Sequence, residues 1–188
     1  MNAFPQNFTI VLVHGAWADG SCWKDLILPL ERHGLRVICA PIPLTLLNDD
    51  VSALSRALGR TSGRIVLAGH AYGGAVIGAI REERVTSFVF IAALAPDEGE
   101  TAAQLFYRDE SHSEQPKLAP DEYGFIWMPD GGFSKAVAHK ASAGQTKILT
   151  AVQRPISVQC IQEKEPCRDG SRAIHCLTCR EPISSASA

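Results

Sequence analysis

The chain has 188 residues, 46% hydrophobic and 20% charged, which is about one domain with apolar side chains enough for a sizeable core. Its 18 Lys and Arg face 20 Asp and Glu, a net charge of -2 that excludes the basic surface on which nucleic-acid or anionic-membrane binding rests. The longest apolar run, Phe88 to Ala95, falls far short of the roughly 20 residues of a membrane-spanning helix, and the opening MNAFPQNFTIVLVHG lacks the Lys or Arg of a signal peptide, so a cytoplasmic protein with neither membrane nor nucleic-acid partner is expected.

Phe8 to Val13 (FTIVLV) is a nearly continuous β-branched run, the pattern of a strand buried on both faces. Cys22 to His33 follows with Trp23, Leu26, Ile27 and Leu30 at helical spacing and Gly34 as the stop. Arg36 to Ala40 is the next strand, ended by Pro41 and Pro43. Asn48 or Asp49 is placed to cap a helix bearing Val51, Leu54 and Leu58. Ile65 to Ala68 forms a third strand, Ala75 to Ile80 opens a helix after a glycine-rich turn, and Val85 to Leu94 forms a fourth strand closed by Pro96. This alternation predicts an α/β fold with a mostly parallel sheet flanked by helices.

The rhythm changes after Glu100. Residues 101 to 165 carry helical fragments, Ser134 to Ala143 and Gln145 to Ala151, and no buried strand, as a helical cap over a sheet would. The chain is therefore divided into a core over 1–100, a cap over 101–165 and an atypical tail over 166–188. The tail holds Cys167, Cys176 and Cys179, close behind Cys160, and offers a zinc reading with His175; only Cys176 and Cys179 form a C-x-x-C pair, where zinc sites usually show two, so no metal is assigned. Its abrupt composition is equally that of a frameshifted or altered C-terminus.

The sharpest motif is Gly69-His70-Ala71-Tyr72-Gly73-Gly74, between strand RIVLA and helix AVIGAI. Glycines two before and two after a central residue allow a tight strand-to-helix turn that lifts the central side chain above the sheet. The amide after the centre opens the helix and is free to meet a developing anion. That is the pattern of a nucleophile elbow, G-x-S-x-G, with Ala71 where the serine stands. A glycine-rich turn that merely packs helix against strand is the plainer reading. No Lys-Ser/Thr follows for a phosphate loop, and neither this turn nor HGAWADG supplies G-x-G-x-x-G. A second motif, His14-Gly15-Ala16-Trp17, ends the first strand, where the Ala16 amide becomes a second donor beside that of Tyr72.

Taken together, IVLVHGAWADGSCW, DDVSALSRAL, IVLAGHAYGGAVIGA, VFIAALAPDEGE and LTAVQRPIS make the span from Phe8 to about Glu163 resemble the α/β-hydrolase family, in its small esterase and hydroxynitrile-lyase-like branch. The resemblance implies a capped parallel sheet, no metal or other cofactor, and a small ester or similar apolar ligand as partner. It places the nucleophile at Ala71 and the oxyanion amides at Ala16 and Tyr72, with Trp17 and His70 as substrate-binding residues. It also implies two further C-terminal strands carrying an Asp and a His. The tail shows no such strands; His175 and Asp169 are the nearest side chains, and Asp97 reads as a turn carboxylate in PDEGE. The expected function is carboxylic-ester hydrolysis by family, in a chain impaired by Ala71; the alternative is a non-catalytic pseudo-hydrolase that binds a small ligand or a partner.

Overall fold

The computed structural model describes residues 7–108, 118–129, 131–133 and 141–166. Four parallel strands form the main sheet in the order β2-β1-β3-β4: β1 is Phe8–Val13, β2 Arg36–Ala40, β3 Arg64–His70 and β4 Val85–Ile91. The central strand β1 is covered on both faces, which is why its sequence is apolar without alternation. Val11 and Val13 point into the larger core, built with α2 (Leu47–Leu58) and α3 (Gly73–Ala79), while Leu12 joins Trp23 and Ala68 in a smaller core on the opposite face. A short 3-10 turn, Gly20–Trp23, leads into α1 (Lys24–Arg32), whose Ile27 packs on that smaller core.

Two boundaries depart from the sequence reading for identifiable reasons. Helix α2 begins at Leu47, ahead of the expected caps, and its N-cap Leu46 makes no side-chain cap. Asp49 instead accepts the Thr45 hydroxyl at 2.9 Å, and Asp50 turns inward and is fully buried. Strand β4 stops at Ile91, short of Leu94, because the chain turns sharply at Ala92 with φ 43°.

Beyond β4, α4 (Ala102–Phe106) and α5 (Ala143–Ala151) each start at a capping box, Thr101 with Gln104 and Ser142 with Gln145. The expectation of no strand in this stretch is corrected by an antiparallel pair, β5 (Phe125–Ile126) with β6 (Ile156–Ser157), followed by α6 (Val158–Gln162). Two residues per strand are too few for an alternating pattern to register. Of the expected helical fragment Ser134 to Ala143, residues 134–140 lie outside the described residues, as do Cys167, Asp169, His175, Cys176 and Cys179. The described chain ends tied to the loop after β4, with the Glu165 amide donating to the Glu100 carbonyl at 2.8 Å. Among the described residues no helix is long and apolar enough to cross a membrane.

Candidate active site

The glycine-rich turn joins β3 to α3, and at its apex Ala71 takes the left-handed conformation with φ 50°. A residue with a Cβ costs free energy there, on the order of 1–3 kcal/mol, and is held only where its surroundings over-determine it. The surroundings do so here. The Ala71 carbonyl accepts the Leu94 amide at 2.9 Å and the Gly74 amide at 3.0 Å, closing the turn on both sides. The flanking glycines are required by close approach: a Cβ on Gly69 would lie 2.5 Å from the Gly73 carbonyl oxygen, and one on Gly73 would lie 2.6 Å from that of Val13.

The second motif meets this turn directly. A Cβ on Gly15 would stand 2.9 Å from the Ala71 Cβ and 3.5 Å from the Tyr72 nitrogen, so the loop after β1 runs against the elbow with no side chain between them. Neither the Ala16 amide nor the Tyr72 amide has an acceptor among the described residues. Trp17, with φ 59°, is held from the far side: its amide donates to the Arg154 carbonyl at 3.0 Å and its indole Nε1 donates to the Ile126 carbonyl at 2.9 Å. His14 is buried beside the loop, with Nδ1 3.0 Å from the Gly15 carbonyl and Nε2 without a partner among the described residues. Burial pushes its pKa below the ordinary histidine value, which keeps the ring neutral.

Above the elbow lies a cavity of about 180 Å3. Ala16, Trp17, Ala71 and Tyr72 form its floor, Ala92 and Leu94 the side after β4, and Phe106, Tyr107, Leu118, Ile126, Ile156 and Ile161 the cover contributed by the stretch beyond residue 100. Among the described residues the lining is entirely apolar or aromatic, with no His, Asp or Glu. Of the four non-glycine residues with positive φ among those described, Trp17, Ala71 and Ala92 all border this space.

The sequence-derived positions sort as follows. Ala71, Ala16, Tyr72 and Trp17 come together at the cavity. His70 does not join them. Strand alternation turns it to the opposite face of the sheet, where it meets Trp23 edge-on with ring centroids 6.3 Å apart. Asp97 is exposed in a turn closed by its amide on Glu100 at 2.9 Å, as the plainer reading held. Cys160, one of the zinc candidates, is buried on α6, its thiol 3.7 Å from Asp50 Oδ2. Among the described residues no three His, Cys, Asp or Glu cluster as a metal would require.

Sequence reasoning missed Asp50. Its carboxylate accepts the Tyr72 hydroxyl at 2.8 Å and the Leu44 amide at 2.7 Å, directly behind the cavity floor. The signal was present: Asp50 shares one helical face with Ala53, Leu54 and Ala57, all buried, and a carboxylate on an apolar face demands partners.

A parallel sheet flanked by helices, with a tight strand-to-helix turn at Ala71 against which the loop after β1 packs, is the geometry of an α/β-hydrolase fold. The chain belongs to the alpha/beta hydrolase family, whose model matches residues 10–176. It is similar to the carbendazim hydrolyzing esterase of Nocardioides sp. (strain SG-4G), with 28% identity over 145 residues, 69% of this chain and 55% of that protein. The chain thus spans about half the length of the curated relative it matches. Among solved structures, a pyrethroid hydrolase from Sphingobium faniae JZ-2 superposes with a TM-score of 0.68 at 18% identity, covering 86% of this chain and 72% of that one. Tomato methylketone synthase I complexed with 2-tridecanone gives a TM-score of 0.67 at 20% identity, covering 81% and 68%. At such identities the two structures speak for the fold.

Proposed function

We propose that the Ala71 cavity is the ligand site of a carboxylic-ester hydrolase framework that has kept its oxyanion donors and lost its nucleophile. One observation carries this reading: Ala71 sits in a left-handed turn with its side chain at the cavity, while the Ala16 and Tyr72 amides beside it have no acceptor among the described residues. Two free amides suit the carbonyl oxygen of an ester or an acid, and twelve apolar or aromatic side chains suit its hydrocarbon part. An apolar cavity of about 150 Å3 accommodates benzene, so one of about 180 Å3 fits a short acyl chain or a single ring. Trp17 contributes the ring face on the loop side. The esterase relative supports the acyl class.

Alanine has no oxygen with which to attack, and loss of the nucleophile from such a site costs roughly six decades in rate. The chain is therefore a binder of small esters or acids, which is the pseudo-hydrolase reading, on a framework of esterase descent. The free thiols of Cys22, Cys39 and Cys160 suit a cytoplasmic location, part of the same proposal.

Restoring the hydroxyl is the test. A serine needs a base to take its proton and a third group to orient that base, and among the described residues no His or carboxylate lines the cavity. Ala71→Ser is expected to hydrolyse p-nitrophenyl butyrate within about tenfold of the parent chain. A rise of about three decades or more in kcat/KM would overturn the impaired reading and reveal a working base.

A further inference from the structure

The side chains behind the cavity floor form a polar cluster that the binding reading does not use. Asp50, with no exposed surface, reaches in from α2. Its Oδ2 accepts the Tyr72 hydroxyl at 2.8 Å and lies 3.7 Å from the Cys160 thiol on α6; its Oδ1 accepts the Leu44 amide at 2.7 Å. Leu44 is itself strained, with φ 63°, and its carbonyl accepts the Ser157 amide of β6 at 3.0 Å. One carboxylate therefore joins the elbow, the β2–α2 loop and the α6 side of the cover, and the four strained non-glycine residues among those described border either the cavity or this cluster. A buried carboxylate surrounded by three donors is an expensive way to fill a core that Leu or Asn would fill. Such arrangements are kept where they fix a site.

We infer that Asp50 is the positioning residue of the cavity: by accepting the Tyr72 hydroxyl it holds the elbow against α6, so that an apolar carbonyl ligand is taken up well only while that acceptor is charged. The inference rests on the ligand-site reading above and deepens it by naming how the site is regulated.

Several groups face Asp50. Tyr72 from the elbow, Cys160 from α6 and the Leu44 amide from the loop donate to it, and Asp49 on its own helix adds a like charge. Glu163, at the end of α6, engages the Asn48 amide at the exposed start of α2 instead. Burial outweighs the three donors and pushes the Asp50 carboxyl up to about 6. The Tyr72 hydroxyl thus meets a carboxylate at neutral pH and a neutral acid, a weaker acceptor, in mild acid. Protonation thereby loosens the link from Tyr72 through Asp50 to Cys160 on α6.

The experiment has two readouts on the unaltered Ala71 chain. With 13C at the tyrosine Cζ, only three tyrosines give signals, and Tyr72→Phe assigns the one that matters. The Tyr72 signal is expected to step with a midpoint near the carboxyl value of about 6. The affinity for p-nitrophenyl butyrate is expected to fall about fivefold or more between roughly pH 7.5 and pH 5. Asp50→Asn removes both the step and the pH dependence of binding. Should that variant fail to fold, Tyr72→Phe, which keeps the ring and loses the hydroxyl, gives the same flat binding profile. A parent that binds the probe with a flat profile, or an Asp50→Asn chain that keeps the parent's profile, overturns the inference alone. A parent that binds no probe at any pH while Tyr72 still titrates overturns the ligand-site reading and the inference with it.

Discussion

At the scale of single residues, the site is shaped by what is absent as much as by what is present. Gly15 has no side chain, and that absence lets the loop after β1 reach the elbow. In Gly15→Ala the new methyl would meet the Ala71 Cβ at 2.9 Å and the His70 backbone carbonyl oxygen at 3.0 Å, neither of them on a flexible side chain that could swing away. Overpacking of this kind costs about 1–3 kcal/mol. Urea unfolding is expected to register that loss, and binding of p-nitrophenyl butyrate is expected to weaken by about tenfold as the Ala16 amide is pushed away from Tyr72. Unchanged stability and affinity would show that loop and elbow are not in contact.

The buried titratable groups give the same scale a pH dependence whose sign can be worked out. Asp50 has a folded-state pKa raised to about 6, so its contribution to stability is fully present below the unfolded value and is lost as pH rises through about 6. His14 is a base with a lowered pKa, so its contribution is present above the ordinary histidine value and lost as pH falls through it. Asp50→Asn removes only the first term. The Tm difference, variant minus parent, is therefore expected to be most favourable to the variant near pH 8 and to shrink steadily toward about pH 5. A difference that grows in acid would mean that Asp50 is stabilised as the anion.

At the scale of elements, Trp17 is the tie between the core loop and the cover. Its indole bond to the Ile126 carbonyl reaches across to β5, and its amide bond to Arg154 reaches the segment just before β6. Trp17→Phe keeps most of the ring and deletes the Nε1 bond, worth about 0.5–1.5 kcal/mol. Faster amide exchange in β5 and β6 is expected, with the four-stranded sheet unaffected. Equal exchange in both proteins would show that the cover is held elsewhere.

The same scale explains what the sequence made legible. Strands β1 to β3 and the tight turn between β3 and α3 were readable because each has a local signature: a β-branched run buried on both faces, or glycines at fixed spacing. The cover was not readable. Residues such as Leu118, Ile126, Ile156 and Ile161 reach the cavity from short segments with no period of their own, Ile126 and Ile156 as partners in a strand pair of two residues each. Asp50 was hidden differently. Near the start of a helix an aspartate reads as a cap, and only its burial among Ala53, Leu54 and Ala57 separates the two roles. His70 shows the limit of motif adjacency: one residue from Ala71, it faces the other side of the sheet.

At the scale of the whole molecule, strand β4 pairs with β3 along one edge and has no partner strand on the other among the described residues. VTSFVFI is long, uncharged and rich in β-branched and aromatic residues, the profile of a strand prone to edge-to-edge association. Thr86 is exposed on it. Thr86→Lys is expected to lower light scattering at high protein concentration while lowering Tm by about 2–4 °C, because it also deletes the Thr86 hydroxyl's bond to the Ile65 carbonyl at 3.2 Å. Scattering equal to the parent's would mean that the edge is already protected.

The central claim is that the Ala16 and Tyr72 amides and the Ala71 side chain form one ligand site. It is tested most directly by titrating 15N-labelled chain with p-nitrophenyl butyrate and following every amide. The expected result is a saturable downfield shift of the Ala16 and Tyr72 amides, as each gains a carbonyl acceptor, with smaller changes at Trp17, Leu94 and Ile126 around the cavity. Saturable shifts confined to the opposite face of the sheet, around Trp23 and His70, with Ala16 and Tyr72 unmoved, would contradict it.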